Sequence, residues 1–210
     1  MLCCLMATFY DRALAAAEAR TLGGWRDELL CGLSGRIVEL GSGTGANLSR
    51  YPEHADELVL TEPDPHMRRR LERRLQVHPD RSRISVQDAP AEDLPFADES
   101  VDVVVSTLVL CTVPDPAAAL AEVRRILHPR GRLLFIEHVA APPETATARW
   151  QARLEPLWSL LAGGCRLTQP TAALIRDAGF SLEHLQAERI SPAPWFIQPA
   201  IRGVARVRDR

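Results

Sequence analysis

The stretch Ile37-Val38-Glu39-Leu40-Gly41-Ser42-Gly43-Thr44-Gly45-Ala46-Asn47 constrains this chain most, because it turns a short apolar strand directly into a glycine-paved loop. Ile37 to Leu40 are bulky enough for a buried parallel strand. Three glycines at alternate positions then let the backbone pass close to a ligand with no Cβ in the way. A helix beginning near Thr44 would present unpaired N–H groups at the same place. The turn by itself leaves the ligand open, since Gly41, Gly43 and Ala46 also satisfy the dinucleotide pattern G-x-G-x-x-G/A. Glu39 and the residues downstream must decide between nucleotide cofactors.

The chain downstream repeats the strand-then-helix alternation. Asn47 to Tyr51 read as the helix after the loop, stopped by Pro52, and Glu57 to Thr61 as a second strand ending at Glu62. A helix from about Asp64 to Val77 and a strand from Arg83 to Val86 follow. Val101 to Val105 is β-branched almost throughout, as expected for a central strand buried on both faces. Pro116 to Leu127 is amphipathic, Pro129-Arg130-Gly131 reads as a turn, and Arg132 to Glu137 as a fifth strand. Beyond His138 the alternation stops, and Ala140 to Gly164 reads as an insertion with a helix from about Ala146 to Leu161. A helix over Thr171 to Ala178, capped by Gly179, precedes two last strands, Ser181 to Ile190 and about Ala200 to Val207, antiparallel to each other. The expected fold is α/β: a doubly wound, Rossmann-like, seven-stranded and mostly parallel sheet with an antiparallel last strand. At 210 residues, 46% hydrophobic, the chain suits a single domain. Its expected parts are N-terminal lid helices (1–34), a cofactor-binding core (35–138), a helical insertion (139–180) and the last two strands (181–210).

A formal net charge of −2 gives no general attraction to a phosphate backbone, so nucleic acid is not an expected partner. The five cysteines, Cys3, Cys4, Cys31, Cys111 and Cys165, are odd in number and never spaced C-x-x-C. Neither a disulfide framework nor a zinc site is therefore expected, no metal is called for, and a reducing, cytoplasmic setting fits. The apolar start, Met1 to Ala7, is far shorter than the roughly 20 residues that span a bilayer. It reads as one apolar turn packed on the domain, with weak membrane contact as the other reading.

Four pieces in order resemble the class I S-adenosylmethionine-dependent methyltransferases: Glu39 before Gly41; Glu62-Pro63 at the end of the second strand; Ala91-Glu92-Asp93-Leu94-Pro95-Phe96; and Arg125-Ile126-Leu127-His128-Pro129-Arg130-Gly131. A dinucleotide dehydrogenase shares the glycines and the acid on the second strand but is not expected to carry the Ala-Glu-Asp-Leu-Pro-Phe segment. The resemblance implies S-adenosylmethionine as cofactor, with S-adenosylhomocysteine as product. Glu62, about 20 residues after Gly41, would accept both ribose hydroxyls. Gly41, Gly43, Gly45 and Asn47 would seat the methionine end, with Glu39 orienting it. Pro63 follows the ribose acid, and Met67 would lie against adenine or pack in the core. Pro90 stands where many relatives carry an acid, so the adenine edge falls to Asp88 or to the backbone of Ala91 and Glu92.

A narrower resemblance runs almost to the C-terminus. Ser106-Thr107-Leu108-Val109-Leu110-Cys111, Glu137-His138-Val139-Ala140-Ala141, Trp158 with Leu160-Leu161, Gly164-Cys165-Arg166-Leu167-Thr168 and Trp195…Pro199…Ile201…Gly203 look like the alkyl-thiol methyltransferases of the methyltransferase-like-seven type. It implies methyl transfer to a small molecule, a thiol first of all, with Thr107 and Leu108 beside the cofactor. His138, at the ligand-facing end of the fifth strand, is the candidate base or substrate-orienting donor, against a loop histidine bonded to backbone. Tyr10, Cys111, Trp158 and Cys165 are candidates for the acceptor pocket, against plain core packing. Relatives of this type are anchored to internal membranes by a hydrophobic N-terminus, which the short apolar start here is not expected to supply. The alternatives are a methyltransferase for a non-thiol small molecule or lipid headgroup, a non-catalytic S-adenosylmethionine-binding module, and an NAD-dependent oxidoreductase.

Overall fold

A computed structural model describes residues 11–53 and 55–208. Residues 11–17 are helical and run through a π-helical turn, Glu18–Leu22, into helix α1, Gly23–Leu30. Strand β1 (Arg36–Leu40), strand β2 (Glu57–Thr61), helix α2 (Pro65–Gln76), strand β3 (Ile84–Gln87) and strand β4 (Val101–Thr107) follow. Helix α3 (Pro116–Ile126), strand β5 (Leu127–His138), helix α4 (Ala146–Leu161), helix α5 (Thr171–Asp177) and strands β6 (Phe180–Arg189) and β7 (Pro199–Val207) complete the chain. No helix among the described residues is long and apolar enough to cross a membrane.

The seven strands form one sheet in the order β3-β2-β1-β4-β5-β7-β6. The first five pair in parallel, with β4 at the centre, while β7 runs antiparallel to both β5 and β6. Burial on both faces follows from side-chain alternation. Val38, Leu40, Val104 and Phe135 pack with Leu120, Val123 and Ile126 of α3 and Ile175 of α5. On the opposite face Ile37, Leu58, Val103 and Val105 pack with Leu30 of α1 and Leu71 of α2. Gly203, opposite Phe135 across β7, leaves room for that ring: a Cβ there would lie 2.9 Å from Phe135 Cζ and 2.0 Å from the His184 carbonyl oxygen.

Three of the helices, α2, α3 and α4, start where a side chain satisfies free N–H groups. Asp64 accepts from the N–H groups of His66 and Met67, Asp115 from those of Ala117 and Ala118, and each is followed by proline in the first turn. Thr145 caps α4, which runs on through Pro156. Gly179, left-handed at φ 89°, ends α5.

Two sequence expectations are corrected. No α-helix follows the glycine loop: residues 43–47 are turns, and only a 3₁₀ turn, Leu48–Arg50, precedes Pro52. Gly45 is left-handed at φ 90°, which breaks a helical path, and the four residues between Asn47 and Pro52 are too few to nucleate another. Pro129-Arg130-Gly131 is not a turn between elements but lies inside β5. The pairing jumps from Val101↔Leu127 to Val103↔Arg132, so the extra residues form a bulge.

Candidate active site

The carboxyl ends of the five parallel strands lie along one edge of the sheet, where doubly wound folds bind ligands. Glu39, Gly41 to Asn47, Glu62, Asp88, Thr107 and His138 stand at the ends of β1 to β5 or in the loops that leave them. Met67 joins from the first turn of α2, and Trp158 and Cys165 come in from the insertion. Tyr10 lies outside the described residues. A groove of about 780 Å³ at the amino edge of the sheet, lined by Asp98, Arg124, Arg125 and Asp177 among others, contains none of the expected site residues.

Gly41, Gly43 and Gly45 are all left-handed, at φ 49°, 58° and 90°. A Cβ on Gly41 would lie 3.0 Å from Val109, and one on Gly45 would lie 2.9 Å from Leu71, whereas one on Gly43 would meet only the Gly41 carbonyl at 4.0 Å. The loop is thus squeezed at both ends and open in the middle, as a cradle for a close ligand must be. The buried Glu62 carboxylate is aimed at that opening. Its Oε2 accepts from the Gly43 N–H at 2.7 Å and its Oε1 from the Asp64 N–H at 2.8 Å. Burial raises its pKa, and the two N–H groups pull it back. Each oxygen keeps a second lone pair for a hydroxyl donor. Ser42 Oγ, buried in the same loop, has no partner among the described residues. These groups fit the ribose and the polar methionine end of S-adenosylmethionine.

Beneath the loop lies a network that a sequence pattern does not reveal. Glu39 Oε1 accepts from Asn47 Nδ2 at 3.0 Å, and Oε2 accepts from the Tyr51 hydroxyl at 2.7 Å. Arg26 of α1, only 3% exposed, donates through Nη1 to Asn47 Oδ1 and to Thr107 Oγ1, each at 2.8 Å. Its Nη2 pairs with Glu18 at 3.1 Å. Burial pushes the Glu39 pKa up, while Tyr51, Asn47 and the Arg26 charge hold it down. The N-terminal helices therefore hand one buried cation to the ends of β1 and β4.

On the β3 side, Asp88 pairs with Arg68 at 2.7 Å, and the same guanidinium reaches the Glu62 carbonyl at 2.7 Å. Met67 is half-buried and Pro63 exposed. Ala91 is buried, and the Glu92 carboxylate accepts from the Asp115 N–H at 3.1 Å, so it is tied to the start of α3. Two of the motifs turn out to be partners: Arg125 donates to the carbonyls of Phe96 at 2.7 Å and Leu94 at 2.9 Å. The Ala91 to Phe96 segment is held from the helix preceding β5.

The acceptor side is built around the exit of β5. Glu137, fully buried, grips the loop after β4: Oε1 accepts from Ser106 Oγ at 2.7 Å, Val109 N–H at 3.2 Å and Leu110 N–H at 3.1 Å, and Oε2 from Cys111 N–H at 3.3 Å. Leu108 is left-handed at φ 62°, so this loop leaves the strand under strain that the Glu137 contacts hold in place. His138 is buried, with Nδ1 3.9 Å from Cys165 Sγ and Nε2 without a partner among the described residues. Cys165 Sγ is in turn 3.8 Å from Cys111 Sγ. Trp158 stands edge-on to Phe196 at 5.9 Å, and the buried Gln151 ties α4 to the Ala141 N–H and to the carbonyls of Val139 and Phe196. The sequence had placed His138, Cys111, Trp158 and Cys165 as candidates, and the fold brings them together. It had not singled out Arg26, Tyr51 or Gln151, and had given Glu137 no role. Only the Glu137-His138 pair carried any signal.

The strand order, with the glycine loop and the buried acid of β2 on its carboxyl edge, defines an S-adenosylmethionine-dependent methyltransferase. Residues 38–135 match the methyltransferase domain family. The chain is 42% identical over 183 residues to human thiol S-methyltransferase TMT1B, covering 84% of this chain and 73% of that protein. It is 39% identical to human thiol S-methyltransferase TMT1A, covering 93% of this chain and 80% of the relative. An S-adenosylmethionine-dependent methyltransferase from Thermotoga maritima, described as a possible histamine N-methyltransferase, superposes with a TM-score of 0.68 at 24% identity over 97% of this chain and 96% of that one. The chain belongs to the methyltransferase family that includes the two human thiol S-methyltransferases. Its cofactor is S-adenosylmethionine, and the dinucleotide reading of the glycine loop falls away.

Proposed function

We propose that this chain methylates a small thiol by direct in-line displacement. The observation that carries the reading is 39–42% identity, over most of this chain, to two thiol S-methyltransferases, in a chain whose His138 stands at the carboxyl edge of the sheet. When bound, S-adenosylmethionine supplies a methyl group already made electrophilic by its sulfonium. Gly41, Gly43, Gly45 and Asn47 hold its methionine end, Glu39 orients that end, and Glu62 accepts from the ribose. Pro63, Met67, Asp88, Ala91 and Glu92 flank the adenine, and Thr107 and Leu108 close the side toward the acceptor. Holding the acceptor sulfur in line is worth effective molarities of about 10⁵ M and above.

An acceptor thiol of ordinary pKa near 8.5 costs about 2 kcal/mol to ionise at neutral pH, so a base helps. His138 suits the task because Nδ1 faces Cys165, while Nε2, which has no partner among the described residues, can take the acceptor's proton. Cys111, Trp158 and Cys165 wall the pocket. The chain works as one domain: residues 1–34 act as a lid, 35–138 as the cofactor core, 139–180 as the substrate cover, and 181–210 complete the sheet. The setting is cytoplasmic and reducing, consistent with the unlinked Cys31, Cys111 and Cys165.

The test is transfer from labelled S-adenosylmethionine to a panel of thiols, amines and phenols. Label should appear on thiols; transfer to amines or phenols with none to thiols would sink the reading. His138→Ala should lower kcat by about 10²- to 10⁴-fold with unchanged cofactor affinity, and an unchanged rate across pH would remove the base.

A further inference from the structure

We propose that Cys111 and Cys165 form a reversible dithiol–disulfide site in the wall of the acceptor pocket, oxidised by a hydroperoxide. The sulfurs are 3.8 Å apart. A disulfide needs about 2.05 Å, so the pair must close by less than the width of an atom. The backbones are already in contact around them. The Arg166 N–H donates to the Cys111 carbonyl at 2.7 Å, and the Arg166 side chain donates to the Pro114 carbonyl at 2.7 Å. Gly164, left-handed at φ 95°, lets the loop lie so close that a Cβ there would be 3.1 Å from the Thr112 carbonyl oxygen. Closure therefore calls for side-chain rotation rather than movement of either loop.

The two cysteines are not equivalent. Cys111 is buried, whereas Cys165 is partly exposed and faces His138 Nδ1 at 3.9 Å. Its hydrogen-bond partner Cys111, followed by His138 and Trp158, holds the Cys165 thiol below its ordinary value against the opposing effect of burial. Cys111 is pushed up, first by the Cys165 sulfur and then by burial. Cys165 is thus the attacking sulfur. Its thiolate forms a bond to the terminal oxygen of the hydroperoxide as the O–O bond breaks, and the departing alkoxide takes up a proton to leave as alcohol, or as water from hydrogen peroxide. The sulfenic acid so formed is attacked by Cys111, which forms the S–S bond and loses its proton as hydroxide departs, the two leaving as water. Two electrons pass from the thiols to the peroxide. Two molecules of an external thiol return the pair to the dithiol and leave as their own disulfide.

The experiment exposes the reduced full-length protein to equimolar hydrogen peroxide, quenches with iodoacetamide and maps the peptides. The expected result is a Cys111–Cys165 cross-linked peptide, lighter by two hydrogens and lost on treatment with dithiothreitol, while Cys31 is recovered alkylated. In Cys111→Ser, Cys165 should instead be captured by dimedone as the sulfenic acid. Recovery of both cysteines alkylated, oxidation of Cys165 to the sulfinic acid without a cross-link, or a bridge from either one to Cys31 in the unaltered protein would each overturn the proposal. None of these readouts depends on the identity of the methyl acceptor.

Discussion

At the scale of single residues, the site places buried carboxylates where backbone or side-chain donors offset part of the burial that raises their pKa. Glu62 is the clearest case, held by the N–H groups of Gly43 and Asp64 and facing the open centre of the glycine loop. Charge-assisted hydrogen bonds are worth about 1.5–3 kcal/mol. Glu62→Ala should therefore weaken S-adenosylmethionine binding by about ten- to a hundredfold in calorimetry, and equal affinity would break the cofactor assignment at its base. Cys165 provides the pH-dependent counterpart. A thiol pKa lowered by Cys111, His138 and Trp158 means that the thiolate persists to lower pH than usual. The rate of Cys165 alkylation should rise with pH to a midpoint below the ordinary thiol value of about 8.5, read by peptide mapping across a pH series. A midpoint at or above that value would show that burial outweighs the three neighbours.

At the scale of elements, the N-terminal helices are coupled to the core through one cation. Arg26 links α1 to Asn47 after β1 and to Thr107 at the end of β4, and its charge offsets that of Glu39. Removing one member of a buried charged network costs about 3–5 kcal/mol, because the partner charge stays behind uncompensated. Arg26→Met, which keeps the apolar stem, should lower stability by about that amount in urea unfolding and weaken cofactor binding as well. A loss below about 1 kcal/mol would mean that the network is solvated and that the helices dock by apolar contact alone. Glu137 plays the matching part for the loop after β4, binding three N–H groups and Ser106 from the neighbouring strand. Both devices join segments distant in the chain, and for that reason neither leaves a local signature.

For the whole molecule, cofactor and fold should be linked, since the glycine loop, Glu62 and the Arg26 network draw on β1, β2, β4 and the N-terminal helices together. S-adenosylmethionine at a hundred times its Kd should stabilise the protein by about 2.7 kcal/mol. For a chain of this size that raises Tm by about 5–10 °C in a thermal scan, and a nicotinamide dinucleotide should give no shift. The alternation of apolar strands and helices, the central β-branched strand and the antiparallel end of the sheet were legible from residues 37 to 207, because periodicity and burial are local properties of a strand. So were the glycine loop and the acid after β2, whose spacing is set within one βαβ unit. The missing helix after the loop was not legible, since it turned on Gly45 being left-handed, nor was the bulge that absorbed Pro129 to Gly131 into β5. By itself, then, the sequence determined the sheet, its order of elements and the cofactor cradle. The tertiary structure alone decided which side chains meet across it: Arg26 with Thr107, Arg125 with Phe96, Glu137 with Cys111, and His138 with Cys165. Those pairs form only because packed helices and neighbouring strand ends bring remote segments to one edge, where burial makes each unpaired charge or thiol costly enough to fix its partner.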